Sequence, residues 1–137
     1  MKKLGGVICL MAIFILFCNR PSPTIQGAWK IVYQKFTNPD TIAVYTSKDF
    51  PNPQIKIFTK SYFSYGFKDS DGDGYGGGRY TLNGDKYIET ASYSVNTGFI
   101  NKPITYTIKL IGDTLIFTGY LDSENKEQLL EKYIRLE

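Results

Sequence analysis

The sequence predicts an all-β domain, an eight-stranded antiparallel up-and-down β-barrel that follows an N-terminal signal segment. Three observations predict it. From Gly27 onward no window carries a helical period, whereas period-two alternation of β-branched and aromatic residues recurs along the chain. Turn dipeptides interrupt that alternation at intervals of about 8–12 residues, the spacing of an all-β meander. At the amino terminus, Met1-Lys2-Lys3 precedes a charge-free run of fourteen residues from Leu4 to Phe17. Such a run suits the apolar region of a signal and falls short of the roughly 20 residues that a spanning helix needs.

The organisation follows from these signals: residues 1–17 as signal peptide, 18–24 as anchor cysteine and tether, and 25–137 as one barrel domain. Leu16-Phe17-Cys18 resembles the lipobox of bacterial lipoproteins, although Phe17 stands where that motif carries Gly, Ala or Ser. The resemblance implies lipidation at Cys18 and a location in the cell envelope, exported and held to the inner or outer membrane. An uncleaved short anchor and ordinary secretion are the alternatives. Asn19 to Thr24, with Pro21 and Pro23, reads as a polar, proline-stiffened tether. Cys9 lies inside the apolar run, so beyond Cys18 the body has no thiol for a disulfide or a nucleophile.

The first strand is Gly27–Phe36, stopped by Asn38-Pro39-Asp40, and Thr41–Thr46 forms a short second piece closed by Pro51-Asn52-Pro53. Ile55–Lys60 and Tyr62–Phe67 follow, then a glycine–aspartate loop, then Arg79–Leu82, Lys86–Ser94, Ile104–Ile111, Thr114–Tyr120 and Gln128–Leu136. That makes eight strands, or nine with the short one. Asn83-Gly84 is a strong hairpin signal because both central positions accept positive φ. A two-residue loop there pairs Tyr80 with Tyr87 and Gly78 with Glu89. One face then carries Tyr80, Leu82, Tyr87, Glu89, Ala91 and Tyr93. Gly112-Asp113 likewise places Ile108, Leu110, Leu115 and Phe117 on one face. Closing such a meander into a barrel removes its exposed edges, and eight strands can enclose one small ligand. A two-sheet sandwich is the competitor.

Composition narrows the function classes. The chain has no histidine, which removes the usual general base and the commonest metal ligand. Without Lys2 and Lys3 the body carries 14 basic against 13 acidic residues. That near-neutral balance argues against nucleic acid as a partner, because phosphate binding needs concentrated positive charge.

Ile25-Gln26-Gly27-Ala28-Trp29 resembles the Gly-x-Trp opening of lipocalin-type barrels. Gly76-Gly77-Gly78-Arg79-Tyr80-Thr81-Leu82, the hairpin, and Tyr87-Ile88-Glu89 resemble the middle of the lipocalin-like domain of bacterial lipoproteins. Gly112-Asp113-Thr114-Leu115 and Glu131-Lys132-Tyr133-Ile134-Arg135 resemble its later landmarks. Thr90 stands where relatives often carry a histidine after the glutamate. The resemblance implies a calycin-like barrel with a binding role and names no ligand. It also implies structural closure by Gly27, Trp29 and Arg135, the arginine packing across the tryptophan that plugs one end.

Glu89 is the residue that most invites a functional reading, because strand parity turns a carboxylate inward. Burying it unpaired costs several kcal/mol, so it needs a donor. An internal pair with a partner such as Arg135, a ligand-orienting role and a general base remain open. The residues expected to contact a ligand are Tyr33, Tyr80, Tyr87, Glu89, Tyr93 and Tyr106. Phe63, Tyr65 and Phe67 alternate on one strand and serve either a packed core or a cavity wall with tyrosine hydroxyls as polar handles. Asp69-Ser70-Asp71-Gly72-Asp73-Gly74 copies the first half of an EF-hand loop, but Tyr80 occupies the position of the closing glutamate. It reads as a solvated loop or mobile rim, with a weak calcium site as the alternative.

Together these features predict a monomeric, non-enzymatic, membrane-tethered protein that binds a small, largely apolar ligand, with no cofactor, no metal and no nucleic acid. The rivals are a structural or inhibitory surface lipoprotein with a filled barrel, and an enzyme using Glu89 with a tyrosine such as Tyr93.

Overall fold

The computed structural model describes residues 24–69, 72–122 and 124–137. The signal segment, Cys18, the tether before Thr24, and Ser70 and Asp71 of the acidic loop lie outside the described residues. The strands are β1 (Gly27–Thr37), β2 (Ile42–Thr46), β3 (Ile55–Phe58), β4 (Tyr62–Asp69), β5 (Gly72–Asn83), β6 (Lys86–Ser94), β7 (Pro103–Ile111), β8 (Thr114–Tyr120) and β9 (Gln128–Arg135). One 3-10 turn, Thr97–Phe99, lies between β6 and β7.

Every strand pair is antiparallel, and β1 pairs with β9 from Trp29↔Arg135 to Thr37↔Gln128, which closes the ring. Eight strands form the closed barrel. The ninth, β2, is a flap. It pairs only with the second half of β1, from Tyr33↔Thr46 to Thr37↔Ile42, while β3 pairs with the first half, from Gly27↔Phe58 to Lys30↔Ile55. The last residues of β4 therefore pair with β5 alone, and a lateral gap separates them from the flap.

The up-and-down order gives the barrel two distinct ends. One end holds the tight turns Gly84–Asp85 and Gly112–Asp113 together with the start of β1 and the finish of β9. Gly84 and Gly112 take φ of 63° and 57° there, in the region that favours glycine. The other end holds the finishes of β1, β4, β6 and β8 and the starts of β5, β7 and β9. Alternation in the sequence becomes inside and outside in the barrel: Leu115 and Phe117 on β8 and Leu129, Glu131 and Tyr133 on β9 point inward and are buried, with half-buried residues between them.

The structure corrects three sequence expectations. In the first hairpin Asn83 pairs with Lys86, so Gly84-Asp85 form the loop and Tyr80 faces Glu89, not Tyr87. The shift is by one residue on each strand, so the faces are unchanged. The glycine run is not a loop: Gly72–Asn83 is one continuous twelve-residue strand. Gly74, Gly76 and Gly78 sit directly opposite Phe67, Tyr65 and Phe63. The Phe67 and Tyr65 rings occupy the space where side chains at Gly74 and Gly76 would stand. Aromatic cover of this kind lets glycine persist in a strand that its own propensity disfavours.

The third correction concerns parity. A β-bulge at Val32 shifts the β1–β9 register between Ile31 and Tyr33, and a second at Ser92 shifts β5–β6 between Gly77 and Gly78. Each bulge inserts one residue and exchanges the faces beyond it. On β1 the inward residues run Trp29, Ile31, then Gln34 and Phe36. On β6 they run Tyr87, Glu89, Ala91, then Ser94. Tyr33 and Tyr93 are consequently turned to the outer face. Lys132 stands over the Tyr33 ring at 5.0 Å, and Tyr93 is 49% exposed.

Candidate functional site

The end that holds Trp29 is filled. Trp29 is fully buried and donates its indole N–H to the Ile25 carbonyl at 2.7 Å. The Arg135 guanidinium lies 4.2 Å from the ring centroid and donates to the carbonyls of Gln26 (2.9 Å) and Thr24 (2.6 Å). Gly27, with φ of 121°, has no room for a side chain because Arg135 and the Glu137 carbonyl crowd it. Above this closure Phe58, Tyr80, Tyr87, Tyr106, Phe117 and Tyr133 form a continuous aromatic floor. Tyr80 and Tyr87 stack at 5.2 Å, and Phe117 meets Tyr87, Tyr106 and Tyr133 edge-on at 5.2–5.7 Å. Such pairs add about 0.5–1.5 kcal/mol each beyond the area they bury.

A layer of buried polar groups lies on that floor. Lys56, Glu89 and Glu131 are 4%, 9% and 7% exposed. Lys56 Nζ donates to Glu89 Oε2 at 2.9 Å, and the Tyr87 hydroxyl donates to the same oxygen at 2.9 Å. The ammonium also lies 4.8–5.7 Å from the ring centroids of Phe58, Phe63, Tyr87 and Phe117. Glu131 accepts from Gln34 Nε2 and from the Tyr133 hydroxyl, both at 2.8 Å, and Gln54 Nε2 donates to that hydroxyl at 2.7 Å. Burial pushes the Glu131 carboxyl above its ordinary value, against the opposing pull of Lys56 and its two donors. Burial, then the neighbouring carboxylates, push the hydroxyls of Tyr87, Tyr106 and Tyr133 upward. These phenols are held neutral, as donors rather than bases.

Over the polar layer opens a cavity of about 200 Å³, lined by Lys56, Glu89, Glu131 and Tyr106 at its base and by Phe36, Phe63, Tyr65, Phe67, Ile104, Leu121 and Leu129 on its walls. It shares Gln34, Phe36, Gln54 and Phe67 with a cleft of about 350 Å³ between the β2 flap and β4, whose other walls include Tyr45, Phe50 and Pro51. Together the two spaces fall within the roughly 300–1,000 Å³ of small-molecule sites. The glycines of β5 help to make the room, since opposite Tyr65 and Phe67 the strand contributes only backbone.

The structure brings two of the six candidate ligand contacts, Glu89 and Tyr106, to the cavity. Tyr80 and Tyr87 lie in the floor, where Tyr80 donates to the Thr59 carbonyl at 2.6 Å and Tyr87 holds Glu89. Tyr33 and Tyr93 are on the outer face for the reason given above. Glu89 does not meet Arg135: its partner is Lys56. Sequence reasoning missed Lys56, Glu131, Gln34 and Gln54. Lys56 shares its parity with Phe58, and Glu131 shares its parity with Leu129 and Tyr133, so alternation could have found both. The Val32 bulge hid Gln34.

No protein-family model matches the sequence, and no curated protein is similar to it. Similarity appears among solved structures. A lipocalin-like protein from Bacteroides uniformis superimposes with a TM-score of 0.50 at 17% identity, over 81% of this chain and 97% of that one. The fold is a lipocalin-like barrel. An uncharacterised protein from Bacteroides eggerthii gives a TM-score of 0.49 at 15% identity, over 78% of this chain and 97% of that one.

Proposed function

We propose that this lipocalin-like chain is a non-enzymatic binding protein, exported and tethered to the cell envelope through Cys18, that takes a small, largely apolar ligand at the open end of its barrel. The observation that carries the reading is the division of the lumen. One half is filled by aromatic side chains, and the other is an apolar-walled cavity over a few fixed polar groups, as ligand sites are generally built. The apolar run ending at Cys18 supports the tether. The enzymatic alternative finds little support, because Tyr93 is outside the barrel and the inner phenols are pushed away from the working range of a general base.

Native mass spectrometry of the protein purified from its own host tests both parts at once. We expect a mass that begins at Cys18 with added acyl chains, and a second series carrying a co-purified small molecule that collisional activation releases. An unprocessed amino terminus would remove the tether. A bare polypeptide mass, together with no uptake of an added apolar probe, would favour a filled, structural barrel.

A further inference from the structure

We infer that the open cavity selects apolar molecules that carry a protonated amine, with Glu131 and the Tyr106 hydroxyl receiving the ammonium head. This deepens the binding role proposed above and rests on it. Four groups face the base of the cavity from four strands: Lys56 from β3, Glu89 from β6, Tyr106 from β7 and Glu131 from β9. Lys56 is committed. It is paired with Glu89 at 2.9 Å and surrounded by four aromatic rings, so it does not offer its charge to an incoming anion.

Glu131 has a different environment. Its two hydrogen bonds come from neutral donors, Gln34 and Tyr133, and among the described residues no cation pairs with it. Among the described residues, the base of the cavity thus holds two carboxylates against one ammonium. Lys56, already paired with Glu89, offsets only part of the cost of burying this second carboxylate, and burial does raise the Glu131 carboxyl's affinity for a proton. A ligand ammonium can replace that proton as the counter-charge.

Tyr106 supplies a second, independent pointer. It is 5% exposed, yet its hydroxyl makes no hydrogen bond among the described residues. Among the described residues no fully buried side-chain polar atom lacks a partner, so this unpaired hydroxyl reaches the cavity that the residue lines. A phenol oxygen accepts from an ammonium as readily as from water. Behind such a head, the apolar body would follow the walls of Phe36 and Phe67 into the cleft under the β2 flap.

Calorimetric titration of the whole protein at pH 7 with n-octylamine, 1-octanol and octanoate separates the possibilities. These share one apolar chain and differ in head charge. Octylammonium should bind at least about tenfold tighter than the other two, as expected for a hydrogen bond to a buried charge. In Glu131→Gln the preference for octylammonium over octanol should collapse. Equal binding of all three, or a preference for octanoate, overturns the amine inference and leaves the apolar-ligand reading standing. If none of the three binds, the apolar-ligand reading itself falls. Should Glu131→Gln fail to fold, the ranking on the unaltered protein still decides.

Discussion

The two ends of this barrel are made from the same strands by opposite means. At the Trp29 end the inner positions carry large rings, and parity runs without interruption from the turns inward. At the open end the inner face of β5 is bare glycine, two bulges have exchanged the faces of β1 and β6, and a strand flap replaces regular pairing. The difference teaches how one fold separates stability from recognition. The filled half supplies buried apolar area, and the emptied half uses bulges and glycines to create space. Between them lies the Lys56–Glu89 pair, and its allegiance is the first thing to test.

Glu89→Gln preserves shape and removes the charge that neutralises Lys56. Breaking a buried pair by removing one partner costs about 3–5 kcal/mol, which urea denaturation would show as a large drop in midpoint. Adding Lys56→Met to Glu89→Gln should recover much of the loss, since no charge is then stranded. A cost below about 1 kcal/mol for the single change would assign the pair to the cavity alone and blur the division between the ends.

Legibility in the sequence follows the same division. The β7–β8 hairpin was readable because Ile108, Leu110, Leu115 and Phe117 alternate up to a glycine turn with no insertion, and the observed pairs are Ile108↔Phe117 and Leu110↔Leu115. Period-two reasoning turns Glu89 inward, as the structure does, because Glu89 precedes the Ser92 bulge. Tyr93 follows it, so the same reasoning gives the wrong face, and the bulge at Val32 likewise carries Tyr33 to the outer side. A bulge adds one residue without any compositional mark, so period-two reasoning carries through it unaware. The glycine run misled for another reason. Glycine's weak strand propensity is a local property, whereas its stabilisation comes from Tyr65 and Phe67 across the ladder. The Lys56–Glu89 contact joins positions 33 residues apart, and parity alone names faces without naming partners.

Gly76→Ala probes the emptied half directly. A methyl group there would meet the Tyr65 ring at 2.6–2.7 Å, so the ring must leave its place over the strand. Overpacking of this kind costs about 1–3 kcal/mol, readable by thermal melting. The displaced ring should also enter the cavity and weaken octanol binding. A change under about 0.5 kcal/mol with binding intact would show that the ring swings freely and that glycine is not required for the space.

The smallest effect should come from Glu131→Gln, and it should depend on pH. In the folded barrel Glu131 holds its proton more tightly than in the unfolded chain, where the ordinary value is 4.5. Between 4.5 and the raised folded value, the native state binds more protons than the unfolded state. Stability contributed by this group therefore falls as pH rises through that window and stays lower above it. Glutamine resembles the protonated form, and its amide oxygen can keep the bond from Gln34. Variant and parent should thus melt together below about pH 4, where the carboxyl is protonated in both states. The variant should become the more stable of the two as pH rises toward neutrality. Parallel melting curves across that range, or a variant less stable at pH 7, would mean that Glu131 behaves as a satisfied carboxylate. The polar layer would then belong wholly to the filled end of the barrel.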